Sequence, residues 1–199
     1  MSCSIENGHL IRTYTGKELN PFNLQSEEIV IEDIAHSLAC LNRFCGHTMR
    51  PISVAQHCVY VARLCEGTGF ELTALLDDAA EAYFGEVTRW VKRMPEFAAY
   101  RNSEKIAQAQ IWSRFACPID ESGIAKIEEA DRLMVLYEGL KGFGSEFGIN
   151  APGYDPLTPE QIKKVGKWSP WNWRESEEIF LVHFRMYERH LHGRKKKQA

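Results

Sequence analysis

Apolar residues recur every three or four positions along most of this chain, the spacing of one helix face after another. Ile31, Ile34, Leu38 and Leu41 share a face of the helix predicted for "IEDIAHSLACLNRF". Gly46 and Pro51 then break the pattern. Ser53 stands as an N-cap for "VAQHCVYVARLCEG", which Gly67 and Gly69 close. Thr73 to Val87, "TALLDDAAEAYFGEV", reads as the next helix. Two longer ones follow in "PEFAAYRNSEKIAQAQIWSRFA" and, after a cap-rich turn, "DESGIAKIEEADRLMVLYEGLKGF". The glycines and prolines of 144–172 predict loop apart from a short Pro159–Val165 helix, and "ESEEIFLVHFRMYERHLHG" forms the last helix. Ile11, Thr13 and Thr15 alternate ahead of Gly16 and Pro21, which suits a short hairpin or an irregular arm. The expected architecture is all-α: an N-terminal arm over 1–30 and one helical domain over 31–199.

Composition changes this picture little. The 199 residues are 44% hydrophobic and 26% charged with a net charge of −3, enough to build a core and no general attraction to nucleic acid or acidic membranes. The closing "GRKKKQA" is basic and is expected to be a solvated, frayed terminus. Cys3, Cys40, Cys45, Cys58, Cys65 and Cys117 come without a Cys-x-x-Cys pair or a leading signal segment. They are expected to be reduced packing residues of a cytoplasmic protein, and no stretch is long enough to span a membrane.

The acids of the third helix ask for chemistry. Asp77 and Asp78 adjoin within an otherwise apolar segment, with Glu81 and Glu86 just beyond. On an α-helix Asp77 and Glu81 would lie about 40° apart, with Asp78 in the same arc, so the three carboxylates would repel one another. A divalent cation removes that repulsion. Oxygen ligands favour Mg²⁺ or Mn²⁺, and an imidazole in the set shifts preference toward Mn²⁺, Co²⁺ or Zn²⁺. His57, mid-helix upstream, and Asp131, in an apolar helical stripe downstream, could complete such a set from separate helices.

The segments "SVAQH", "LLDDAAEAYFGEV" and "EEADRL", with the arm "TYTGKELNP" and "IEDIAHSLACLNRFCGHT" before them, resemble the HD superfamily of metal-dependent phosphohydrolases. The similarity runs from about Arg12 to about Glu138 and is greatest to small members acting on nucleotides. It implies His57, Asp77, Asp78 and Asp131 as metal ligands. Glu81 would orient or activate the attacking water, and Glu86 would complete the acid network. Arg43 would meet a substrate phosphate, Phe44 would lie near the sugar, and His47 would stand near the site. The family's signature histidine is here Asp77, whose reach is shorter by about 2 Å. Either the metal preference has changed, or this is a weakened natural member, or the residue was replaced to disable an enzyme.

Two activities of the family are open for this chain: removal of the 5'-phosphate from a deoxynucleoside monophosphate, or release of triphosphate from a deoxynucleoside triphosphate such as dATP. The resemblance also implies a homo-oligomer. A catalytically disabled nucleotide-binding or regulatory protein is the alternative, and a structural module with an exposed acid cluster is a third. Lys92 and Arg93 could meet phosphates or face solvent. Trp168, Trp171 and Trp173 with Tyr154 could stack a base, although covering the core is the commoner role for such a group. His36 is expected to pack or cap within its helix, and His183, His190 and His192 to be peripheral.

Overall fold

The computed structural model describes residues 10–144 and 156–198, without the side chains of 194–198. The all-α expectation holds. Beyond a two-stranded antiparallel hairpin, β1 Ile11–Arg12 with β2 Glu18–Leu19, the described residues are helical segments and their connections. The helices are α1 Ile31–Cys40, α2 Val54–Leu64, α3 Glu71–Leu75, α4 Glu81–Phe84, α5 Arg89–Lys92, α6 Ala98–Arg114, α7 Glu121–Phe143, α8 Pro159–Val165 and α9 Trp173–Gln198.

Helix α2 is the hub. Val54 to Ala62 are all buried, His57 included, because α1, α3, α7 and α9 pack around it. A helix surrounded on every side needs apolar residues all round, and "VAQHCVYVA" supplies them with two polar exceptions, Gln56 and His57. Ser53 caps it as expected, accepting from the Gln56 amide at 3.1 Å, and its hydroxyl also bonds Ser176 of α9 at 2.8 Å. Phe180, Phe184 and Tyr187 close the core from α9. The arm joins the same core through Leu19, Leu24 and Ile29, and Thr15 ties it down with two hydrogen bonds to buried Asp33.

Two sequence expectations are corrected. Thr73–Val87 is not one helix: α3 ends at Leu75 and α4 begins at Glu81. Gln108 of α6 causes the break, its amide donating to Leu76 O at 2.5 Å and accepting from Ala80 N at 2.9 Å. Those two backbone groups would bond each other in an unbroken helix, so the side chain occupies one rung of the ladder. The last helix, in turn, runs on to Gln198, so most of the basic tail has helical backbone instead of a frayed end. Cys58 and Cys65 are buried, and the described cysteines are all free thiols; Cys3 lies outside the described residues.

Candidate functional site

The inserted Gln108 sets the geometry of the acids. From Asp77 to Tyr83 the backbone bonds run mostly to the third residue back, Ala79 to Leu76, Glu81 to Asp78 and Tyr83 to Ala80 among them. At three residues per turn, Asp78 and Glu81 stand one above the other while Asp77 turns away. Asp78 and Glu81 line a cavity of about 330 Å³, together with Glu86 and Asp131; Asp77 is not on its wall. Asp77 still belongs to the acid group electrostatically. Its carboxyl is pushed well above the usual range, first by burial and then by Asp78 and Asp131.

His57 comes up from α2 behind that wall. Its Nε2 lies 3.1 Å from Asp131 Oδ1 and 3.6 Å from Asp78 Oδ2. Its Nδ1 donates to Glu138 Oε2 at 3.0 Å, and Arg43 Nε donates to the same oxygen at 2.8 Å. Arg43 Nη1 also reaches Asp78 Oδ2 at 3.5 Å. Burial and the Arg43 cation push His57 down, but Glu138 and Asp131 outweigh them and raise it to about 10. Burial would raise Asp131, yet the His57 hydrogen bond and charge, with Arg43 and Arg89, hold it well below the usual carboxylate range.

The segment carrying Arg43 is strained. Phe44 and Cys45 both sit in the left-handed region, at φ 55° and 51°, which costs about 1 kcal/mol or more for a non-glycine residue and persists where the surroundings impose it. Glu86 accepts a backbone hydrogen bond from Cys45, so one acid of the site holds this turn in place. Phe44 lines the cavity, and its ring meets Phe143 edge-on at 5.4 Å. His47 does not join them: it is exposed and absent from the cavity wall.

Basic groups complete the cavity. Arg89 donates to Asp131 Oδ2 at 2.5 Å, and Lys92 bridges Glu81 at 2.9 Å and Glu104 at 2.6 Å. Arg93, Arg101 and Trp90 line the same space. Burial and Asp78 lift Glu81 to about 8 despite Lys92 beside it. Of Arg89, Trp90, Lys92, Arg93 and Arg101, only Lys92 and Arg93 stood out in the sequence as candidates. Trp168 and Trp171 instead pack on Tyr137 and Tyr60, and Trp173 meets His36, which stacks on Tyr14 and pairs with Glu177 at 3.0 Å. Tyr154 lies outside the described residues.

Asp78 and Asp131 both approach His57 Nε2. An octahedral shell with bonds of about 2.1 Å separates neighbouring donors by about 3 Å; Nε2 lies 3.1 Å from Asp131 but 3.6 Å from Asp78. Glu81 Oε2, Glu86 Oε2 and Glu138 Oε1 are buried without a hydrogen-bond partner among the described residues. Among the described residues, however, no group of three or more His, Cys, Asp and Glu side chains is arranged to hold a metal ion as it stands. The carboxylates lean on Arg43, Arg89 and Lys92 instead.

Fold and site define a class: an all-α protein whose buried histidine backs a cavity of opposed charges. The chain is 34% identical over 128 residues to the uncharacterized protein YfdR of Escherichia coli (strain K12), a match covering 64% of this chain and 69% of that protein. It belongs to the same family as YfdR. No family model matches it. Among the described residues no helix is long and apolar enough to cross a membrane.

Proposed function

We propose that this chain is an HD-type, divalent-metal-dependent phosphohydrolase acting on deoxynucleotides, either a triphosphohydrolase (dATP among the candidate substrates) or a 5'-deoxynucleotidase. The observation that carries this reading is the cavity wall, where Asp78, Glu81, Glu86 and Asp131 meet Arg43, Arg89, Lys92, Arg93 and Arg101. Carboxylates alone would suit a cation and bases alone an anion; the mixture suits a cation and a phosphate together. A volume of about 330 Å³ lies in the range of small-molecule sites. His57, Asp78 and Asp131 would hold the metal, with Asp77 adjacent. A bound divalent ion supplies positive charge for the phosphoryl oxygens and acidifies water. Arg43 holds a phosphate oxygen through its planar fork, and Phe44 and Trp90 offer ring surfaces to sugar and base. Glu81 Oε2 orients the attacking water and takes its proton as the new P–O bond forms and the bond to the leaving group breaks. The raised affinity of Glu81 for a proton suits a base working near neutral pH.

The second reading is a nucleotide-binding protein without catalysis, also as a homo-oligomer in the cytoplasm. Its support is that Asp131 and Asp78 already have guanidinium partners. Product analysis with Mg²⁺, Mn²⁺, Co²⁺ and Zn²⁺ against deoxynucleoside mono- and triphosphates separates the two. Nucleoside with intact triphosphate identifies a triphosphohydrolase, and nucleoside with orthophosphate a nucleotidase. Turnover only in the Asp77→His variant identifies a disabled enzyme. Silence from both proteins rules out hydrolysis and leaves the binder.

A further inference from the structure

Glu138 is the most deeply buried charged residue of the site, at 0% exposure on α7, and the proposed chemistry gives it no step. A carboxylate taken wholly out of water costs several kcal/mol unless it is paired. Here one oxygen, Oε2, accepts from Arg43 Nε at 2.8 Å and from His57 Nδ1 at 3.0 Å. The two donors come from different elements, the strained turn after α1 and the hub helix α2. The other oxygen, Oε1, is buried and has no hydrogen-bond partner. We propose that Glu138 is a positioning residue that aligns the metal-facing histidine and the phosphate-facing arginine from a single oxygen atom, so that cation and phosphate sites are built as one unit. This rests on the metal-dependent reading given above.

The consequence for His57 is specific. With Nδ1–H committed to Glu138, Nε2 is the nitrogen turned toward Asp78 and Asp131 and is the one that must lose a proton to a metal. Arg43 gains a fixed guanidinium plane, because Nε is held while Nη1 reaches toward Asp78. A residue serving only the fold would leave the choice of imidazole nitrogen and the paired affinities unchanged.

The test is Zn²⁺ titration by calorimetry, followed by inorganic phosphate titration of the zinc-loaded protein, for the wild type and Glu138→Gln. The variant keeps the shape and removes the charge. Its zinc affinity should fall about 10- to 100-fold, as for other partners of metal-bound histidines, and its phosphate affinity should fall as well. Loss of only one affinity, or of neither, in a folded variant overturns the shared-anchor role. Should Glu138→Gln not fold, long-range proton–nitrogen spectra of the wild type still decide: zinc should displace the His57 Nε2 proton and leave that on Nδ1. Displacement from Nδ1 overturns the assignment. A wild type that binds no divalent ion sinks the metal-dependent reading itself. In that case a protected Nδ1 proton that Glu138→Gln exposes to solvent supports the His57 anchor alone, and no protection refutes it.

Discussion

The two sides of the cavity are built differently. On the inner side His57, Arg43 and Glu138 are buried, rise from or pack against the long helices α2 and α7, and share hydrogen bonds of 2.8 and 3.0 Å. On the outer side Asp78, Glu81 and Glu86 follow a broken helix, and the four-residue α5 supplies Lys92 to Glu81 and Arg89 to Asp131 of α7. Arg89 is 40% exposed where the Arg43 side chain is 10%. The Arg89 pair, on a short element and with one member 40% exposed, can open locally, whereas a buried network between long helices opens only with the core. On the proposed function the inner side would be a fixed template, and the outer side, through Arg89, would be where charge is rearranged on ligand binding.

The largest effect should come from breaking the template. Glu138→Leu leaves Arg43 and His57 buried without their shared acceptor, and such losses cost about 3–5 kcal/mol. Urea unfolding should register that drop in the metal-free protein. A loss below about 1 kcal/mol would mean that the inner network rearranges as freely as the outer one.

The outer side should reveal itself through pH. Glu81 keeps its proton in the fold up to about 8, against an ordinary value of 4.5. Between those values the folded chain binds more protons than the unfolded one, so stability falls as pH rises, by at most about 1.4 kcal/mol per pH unit for this one group. Glu81→Gln removes the carboxyl and should flatten the slope across that window in metal-free unfolding measurements. A slope unchanged by the substitution would assign it to other groups, Asp77 first among them, whose carboxyl is raised by burial and by its acidic neighbours.

The contrast also separates what was legible in the sequence from what was not. Ser53 as a cap, Pro159–Val165 as a short helix and the hairpin after Ile11 are local events, set by a few adjacent residues. The crowding of Asp78 and Glu81 in an apolar segment, with His57 and Asp131 on apolar helices, nominated those four from the sequence pattern, whereas Arg43 was nominated by the resemblance alone. The break in the acidic helix was invisible because it depends on Gln108, 28 residues beyond Ala80. Glu138 was hidden for the same reason: it looks like one more helical glutamate until α7 brings it to Arg43, 95 positions away. Arg89 gave no signal either, since its partner Asp131 stands 42 residues further on. His47, which the resemblance puts near the site, is exposed at the end of the strained turn and is not on the cavity wall.

The smallest expected change in stability is also the sharpest probe of the outer side. Arg89→Met removes an ion pair that is close, at 2.5 Å, yet has one partner 40% exposed. Screening and side-chain entropy reduce such pairs to about 0–1 kcal/mol, so unfolding should shift by no more than that. Divalent-ion affinity should move the opposite way. The guanidinium and a bound cation both draw on the charge of Asp131, and losing one competitor should strengthen the other several-fold in a Mn²⁺ titration. Tighter binding with little lost stability would make Arg89 a stand-in for the missing charge, released when the ion arrives. Weaker binding would mean that Arg89 orients Asp131 for the ion, and the outer side would then be as fixed a template as the inner one.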